Sequence, residues 1–86
     1  MPRLSQFYGI TISIYYRDHA PPHFHANYGE HEAVFEIDTG TVIAGQLPRR
    51  ARKLVEDWLT TRRHELQRNW ALSVASQPLL PIEPLE

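Results

Sequence analysis

The sequence predicts an α+β fold: a four-stranded antiparallel meander covered on one face by two C-terminal helices, within a single domain of residues 1–86. Three observations predict it. Apolar and polar residues alternate from Ile10 to Tyr16, as in a half-buried strand. Two shorter alternating segments follow, separated by turn signals at Gly29 and at Asp38-Thr39-Gly40. After Pro48 the apolar residues recur at three- and four-residue spacing, which is the pattern of an amphipathic helix.

The strands are predicted at residues 8–16, 23–28, 32–37 and 41–46. The first is the clearest, because Ile10, Ile12 and Ile14 share one side and β-branched residues favour strands. It ends before Pro21-Pro22, since proline lacks the amide donor that a strand needs.

A hairpin turn centred on Tyr28-Gly29 is expected to join the second and third strands. This register places His25 opposite Glu32 and Phe24 opposite Ala33. In the next hairpin, closed by Asp38-Thr39-Gly40, Ile43 of the fourth strand is expected opposite Phe35. Side chains alternate along a strand, so two faces result. The core face contains Phe24, Ala33, Phe35 and Ile37, and the opposite face contains His23, His25 and Glu32.

The helices are predicted at about 48–60 and 62–75. The first carries an apolar stripe that includes Val55 and Trp58, and proline suits its first turn. The apolar residues after it, such as Leu66 and Trp70, centre about 100° away around a helical axis. We therefore expect a break or bend near Thr60-Thr61-Arg62.

The C-terminus is predicted to be an extended apolar tail. Pro78, Pro81 and Pro84 exclude a helix there. Exposed aliphatic side chains in a free tail would be unfavourable, so the tail either packs back on the domain or docks on another chain.

Composition limits the kinds of functional site and cellular location that this chain can have. The chain has no cysteine, which excludes disulfides, thiolate metal sites and cysteine nucleophiles. The N-terminus lacks a signal-peptide pattern and no apolar run is long enough to span a membrane, so a soluble cytoplasmic protein is expected. The net charge is −1, and a nucleic-acid footprint over the whole molecule is not indicated.

The best chemical signal is the spacing His19-x3-His23-x-His25. Imidazoles two residues apart on one strand can reach the same metal ion, and His19 could be a third ligand across the Pro-Pro corner. Asp18, Glu30 or Glu32 could supply a carboxylate, as ligand or as a group that orients an imidazole. Zinc, iron, nickel and manganese all suit such a site. The alternative is that these histidines only bond backbone carbonyls or solvent, the role we also expect for His31 and His64.

A catalytic interpretation rests on the same histidines. The familiar hydrolase and nucleotide-binding motifs are absent from the sequence. What remains is a metal-activated water, with Glu32 or Asp18 as the base.

A second signal is the basic start of the first helix, formed by Arg49, Arg50, Arg52 and Lys53. Cations at a helix N-terminus oppose the helix dipole, so these residues are candidates for contact with an acidic partner or a phosphate. The alternative is that Arg52 and Lys53 pair with Glu56 and Asp57 at i,i+4 spacing.

The chain resembles a bacterial family catalogued as domain of unknown function 4160. The resemblance extends over essentially the whole chain, and its most specific part is the Asp-His-x-Pro-Pro-His-x-His motif beginning at Asp18. The family's corner and histidines carry over onto Asp18, His19, Pro21, Pro22, His23 and His25. Asp18 and Tyr28, which lies near the end of the same run, are further candidate site residues.

The resemblance implies a protein partner, because members of this family often look like one half of a toxin–antitoxin-like pair. We therefore expect an interaction component with a histidine-rich surface metal site, and the alternative is a metal-dependent phosphoesterase or ribonuclease using His19, His23 and His25. The expected partner is a second small protein encoded nearby, or another copy bound through the tail. Nucleic acid at the basic helix start is a less favoured partner, and no membrane is expected.

Overall fold

The computed structural model describes residues 3–86 as an antiparallel sheet with one C-terminal helix, which confirms the α+β class. The five strands lie in the sheet in chain order, so each hairpin joins neighbours. The elements are β1 (Arg3–Phe7), β2 (Ile10–Ser13), β3 (His23–Tyr28), β4 (His31–Glu36), β5 (Val42–Gln46) and α1 (Arg49–Val74).

The prediction of four strands was wrong at the N-terminus, where β1 is an additional strand. The predicted strand 8–16 begins inside a tight turn, in which Tyr8 and Gly9 both have positive φ, at 50° and 78°. This turn reverses the chain and pairs Phe7 with Ile10. The regular strand then ends at Ser13, although Ile14 beyond it is fully buried.

The predicted hairpin register was wrong by two residues. Tyr28 pairs with His31, so the turn is centred on Gly29-Glu30, and His25 lies opposite Val34. A shift of two residues preserves which side chains share a face, because the side-chain period of a strand is two. The predicted core face is therefore correct, with the rings of Phe24 and Phe35 stacked 5.3 Å apart.

The predicted position of Ile43 was also wrong. The ladder between β4 and β5 contains an irregularity, and Val42 rather than Ile43 lies opposite Phe35. Ile43 is consequently 45% exposed on the outermost strand.

The prediction of two helices was wrong: α1 runs unbroken through Thr60-Thr61-Arg62. No bend is needed, because the apolar residues after Thr61 find partners along an unbroken helix. Leu66 joins the same core cluster as Val55 and Trp58, and the ring of Trp70 packs on that of His23. Buried Asn69 bonds the C-terminal tail. No helix within residues 3–86 is both long enough and apolar enough to cross a membrane.

The tail packs back on the chain, which is one of the two alternatives that the sequence left open. The Trp58 indole donates to the carbonyl of Glu83 at 2.8 Å, and Asn69 exchanges two hydrogen bonds with the backbone of Leu80. The amide of Ile82 also donates to the Leu4 carbonyl of β1 at 2.9 Å. The tail thus covers part of the β1 side of the sheet and closes the core around buried Ile82.

Gly45 is the glycine that this sheet most strongly requires. Its φ is +67°, and a Cβ atom there would overlap the carbonyl oxygen of Glu32 on β4. At Gly29 φ is +57°, but a Cβ would meet no atom of residues 3–86 within 4 Å. Gly29→Ala should cost about 1 kcal/mol from the left-handed backbone alone. Gly45→Ala should cost roughly 3 kcal/mol or more, and urea unfolding of the two variants measures the difference. Equal losses would contradict the close approach of β4 and β5.

Candidate metal centre

The alternation of β3 places His23 and His25 on the face of the sheet opposite Phe24 and Ala26, which are fully buried. Asp18 comes from the connection between β2 and β3. This connection is fastened at both ends, because the amide of Arg17 donates to the Ser73 carbonyl of α1 and the Pro22 carbonyl accepts from the amide of Ile37. The Asp18 carboxylate is therefore carried by a loop tied to both the helix and the sheet.

His23 is held on three sides. Its Nδ1 donates to the Pro21 carbonyl oxygen at 2.7 Å, and its Nε2 lies 2.9 Å from Oδ2 of Asp18. The ring of Trp70 packs 5.0 Å away, centroid to centroid. The residue is only 7% exposed, so its ring has little freedom to turn.

The partners of His23 determine the chemistry of its ring. A carbonyl only accepts hydrogen bonds, so Nδ1 carries a proton, and a neutral ring then presents a lone pair at Nε2. That lone pair faces the Asp18 carboxylate, which is also only a hydrogen-bond acceptor, so no hydrogen bond can form between the two as they stand. The arrangement is satisfied either by a doubly protonated ring or by a cation placed between Nε2 and Asp18.

His25, like His23, is held by a hydrogen bond from its Nδ1 and by a packed aromatic ring. Its Nδ1 donates to Oε2 of Glu32 at 3.1 Å, across the diagonal of the β3–β4 hairpin. Its ring packs 4.2 Å from the ring of Tyr15. Its Nε2 is buried, has no hydrogen-bond partner within residues 3–86, and lies 3.8 Å from Oδ2 of Asp18.

Asp18, His23 and His25 converge, since one ligand atom from each lies within 4.8 Å of those from the other two. A four-coordinate ion with bonds of about 2.0–2.2 Å needs ligand atoms about 3.3–3.6 Å apart. The separations of 2.9 and 3.8 Å from Asp18 to His23 and His25 bracket that value. In addition, each imidazole donates its Nδ1 proton to an oxygen, the orientation typical of metal-ligating histidine.

The electrostatics favour an ionised Asp18. Burial raises the pKa of this carboxyl group, but hydrogen bonds from His23 and from the His19 amide outweigh it and hold the pKa below its usual range. For neighbouring Tyr15, burial and then the charges of Glu32 and Asp18 raise the pKa of the hydroxyl. The site therefore presents a carboxylate at neutral pH beside an un-ionised phenol.

This shift predicts a pH dependence of stability for the metal-free protein. Because the folded-state pKa of Asp18 is lowered, its contribution is present above the unfolded value of about 3.9 and is lost as pH falls through the folded value. We expect Asp18→Asn to cost about 1–3 kcal/mol at pH 5.5 and much less at pH 2. Chemical unfolding of both proteins in chelator at the two pH values measures this, and a constant difference would contradict the assigned contact.

The structure does not bring together every residue that the sequence singled out. His19 contacts the other oxygen of Asp18, at 3.2 Å, but its side chain is 94% exposed and outside the convergent group. Glu32 contacts His25 Nδ1, so it is placed to orient that ring. Tyr28 lies on the core face at the far end of β3, beside Tyr8 and Pro48. The remaining residues, on exposed surfaces elsewhere, are His31, Arg49, Arg50, Arg52, Lys53 and His64.

Sequence reasoning missed the side chains that surround the histidines. Tyr15 and Trp70 were assigned to a strand and to a helical core, yet their rings pack on His25 and His23. Ser13, which pairs with His25, has a buried hydroxyl without a partner within residues 3–86. Only the alternation of β2 could have indicated Ser13 and Tyr15, since it places them on the histidine face.

Comparison with known proteins identifies the family. Residues 9–71 match the family described as Domain of unknown function (DUF4160), a span that contains β2 to β5, the convergent group of Asp18, His23 and His25, and most of α1. No curated protein and no solved structure matches the chain. The matched span covers well over half of the sequence, and the chain therefore belongs to the DUF4160 family.

Proposed function

We propose that this protein is a metal-binding domain that holds one divalent transition-metal ion through Asp18, His23 and His25. The observation that carries the proposal is His25 Nε2, a buried nitrogen that has no hydrogen-bond partner within residues 3–86 and lies 3.8 Å from the Asp18 carboxylate. An unpaired buried polar atom costs free energy, and a cation at this point removes that cost for His25 and satisfies Nε2 of His23 as well.

Two imidazoles and one carboxylate form a donor set suited to zinc, iron(II), nickel or manganese. Three protein ligands leave coordination positions for water or another molecule, which differs from the closed four-ligand pattern of structural zinc sites. Glu32 and the Pro21 carbonyl are placed to hold the two rings with Nε2 directed at the ion.

Elemental analysis of protein purified without an affinity tag tests this proposal. We expect close to one metal ion per chain in the wild type and almost none in a His23→Ala/His25→Ala variant. His31→Ala/His64→Ala is the matched control, since it removes two exposed histidines outside the site and should leave the metal content unchanged. Equal metal content in the wild type and the His23/His25 variant would overturn the proposal.

We also propose that the domain is the interaction component of a toxin–antitoxin-like pair. The observation that favours this is the β5 edge: Thr41–Gln46 contains no charged residue or proline, and Ile43 is exposed. Natural edge strands are protected by charge, proline, a bulge or a covering segment. β5 has the irregularity at Ile43 but no charge and no proline, and the described contact of the tail with a strand is with Leu4 of β1, the opposite edge of the sheet. An extended segment of a second small protein could add to β5 as a sixth strand.

Co-expression with the product of the neighbouring gene, followed by size-exclusion chromatography, tests the partner proposal. The two proteins should co-elute, and Ile43→Lys should abolish co-elution by placing a charge at the edge. Val74→Lys is the control, because Val74 is an exposed apolar residue on α1, and this variant should leave the complex intact. Failure of the wild-type proteins to co-elute would overturn this proposal and leave the metal site unaffected.

A metal-dependent phosphoesterase or ribonuclease is the alternative function. One observation favours it: Asp18, His23 and His25 line an open pocket of about 370 Å³, to which Ile43 also contributes. A metal ion there could activate water next to a bound phosphoester. Metal-dependent hydrolysis of a phosphodiester that disappears in His25→Ala would support this function. If wild-type protein carrying one metal ion per chain hydrolysed no phosphodiester, this function would be rejected.

A further inference from the structure

A second surface lies at the other end of β3, where two turns of the sheet meet the start of α1. Tyr8, in the β1–β2 turn, is 59% exposed, and Tyr28, at the end of β3, is 38% exposed. The two rings and Arg50 line one groove of about 280 Å³. The Tyr28 ring lies over Gly9, where an added Cβ would be 3.5 Å from Cε1. We call Tyr8, Tyr28, Arg49 and Arg50 the aromatic–basic patch.

The patch carries positive charge that the fold itself does not neutralise. Arg52 forms an ion pair with Glu56 at 3.4 Å, and Lys53 forms one with Asp57 at 2.7 Å. These are the i,i+4 pairs that the sequence offered as the alternative. Within residues 3–86, Arg49 and Arg50 make no ion pair with any carboxylate. Arg50 also lines a neighbouring groove of about 550 Å³, together with Arg49.

The start of α1 adds to the positive potential. The first turn contains no acidic residue, and Pro48 at the N-cap makes no side-chain capping bond. The positive end of the helix dipole therefore lies next to the positively charged arginines, and this repulsion is unfavourable unless an anion is bound.

We propose that the aromatic–basic patch binds single-stranded nucleic acid. The exposed faces of Tyr8 and Tyr28 are suited to stack on unpaired bases, and Arg49 and Arg50 are placed to contact phosphates of the same strand. An acidic peptide would also satisfy the arginines, but it would leave two tyrosine rings exposed without a planar group to cover them.

This inference is independent of the metal centre. Tyr28 is at the C-terminal end of β3 on the core face, whereas His23 and His25 lie toward its N-terminal end on the opposite face. Binding can therefore be measured with a chelator present, so that the metal proposal and the nucleic-acid proposal fail separately.

The test is fluorescence anisotropy of a labelled, unstructured 12-nucleotide RNA in 50 mM salt and chelator. The wild-type dissociation constant should fall in the range of about 10⁻⁶–10⁻⁴ M. Tyr8→Asn should weaken binding at least about fivefold, because one stacking surface is lost. Asn accommodates the positive φ of this turn, so a thermal melt should show no loss of stability.

Arg50→Ala should weaken binding by a similar factor and reduce the slope of log K against log salt by about 0.7. Arg68→Ala is the matched control, since it removes one exposed arginine from the same helix outside the patch. It should change affinity by less than about twofold. Equal effects of the two substitutions would overturn the proposal, because they would indicate diffuse charge attraction.

Three competitors complete the experiment. A single-stranded DNA of equal length should compete, since stacking and phosphate contact do not need a 2′-hydroxyl. A blunt duplex of the same sequence should compete much more weakly, because its bases are already stacked. The proposal is overturned if the duplex competes as well as the single strand, or if a polyglutamate peptide does so, which would indicate a protein-binding surface.

Discussion

Replacing His25 by Ala is expected to weaken Zn²⁺ binding by about 100-fold or more. The substitution removes one of the three side chains proposed to bind the ion, and the Nε2 atom of His25 has no hydrogen-bond partner within residues 3–86. Even the loss of groups that only orient a ligand typically costs 10- to 100-fold in metal affinity. Competition of wild type and variant against a chromophoric chelator at pH 7.5 measures the difference.

Two further variants separate the roles around the site. Glu32→Gln should weaken binding by about 10-fold, since Glu32 orients His25 without belonging to the convergent group. His19→Ala should change affinity by less than about twofold, because that side chain is outside the group. If His19→Ala weakened binding as much as His25→Ala, the ligand set would be the three histidines that the sequence suggested, and the assignment to Asp18 would be wrong.

Trp58→Ala is expected to have the largest effect on stability, at about 3–5 kcal/mol. Trp58 is fully buried, and its ring lies 5.3 Å from that of Phe7 and 5.9 Å from that of Phe24. The residue also joins three parts of the fold, because its indole nitrogen donates to the tail at Glu83. In a domain of this size the melting temperature should fall by at least about 12 °C.

Trp58→Phe separates the ring from its hydrogen bond. It keeps most of the buried apolar area but removes the bond to the Glu83 carbonyl, so a loss of about 1–3 kcal/mol is expected. Val74→Ala, at an exposed position of the same helix, should change stability by less than about 0.5 kcal/mol. A Trp58→Ala variant as stable as Val74→Ala would contradict the packing of helix, sheet and tail around this ring.

The sheet could be predicted from sequence wherever alternation and turn chemistry agreed. The assignment of Phe24 and Phe35 to the core face survived a wrong register, because a shift of two residues preserves the side-chain face. β1 was missed because Arg3–Phe7 contains no β-branched residue and because Tyr8-Gly9 is an atypical hairpin turn. Only the pairing with β2 defines it as a strand.

The helix shows where a correct observation gave a wrong conclusion. The drift of the apolar stripe past Thr60 is real, since buried Trp58 and buried Leu66 mark different directions around α1. The predicted bend assumed that a single helix would leave one of these directions without a partner. Instead, Leu66 joins the same core as Trp58, the ring of Trp70 packs on that of His23, and Asn69 bonds the tail at Leu80. These long-range contacts have no local sequence signal.

The candidate site was predictable in its strand and not in its loop. Alternation was enough to pair His23 and His25 on one face. Glu32 was expected directly opposite His25 and contacts it instead along the diagonal of the hairpin, since Val34 is the residue opposite. The choice between Asp18 and His19 depended on the path of the connection after β2. That path is set by contacts with Ser73 and Ile37, which lie far away in sequence.

The most direct test of the central claim is a crystal structure of the Zn²⁺-loaded protein with anomalous data at the zinc edge. The proposal predicts one anomalous peak about 2.0–2.2 Å from Nε2 of His23, Nε2 of His25 and a carboxylate oxygen of Asp18. Both Nδ1 atoms should keep their bonds to Pro21 and Glu32. A peak at His19 or elsewhere on the surface, with no density between these three side chains, would contradict it.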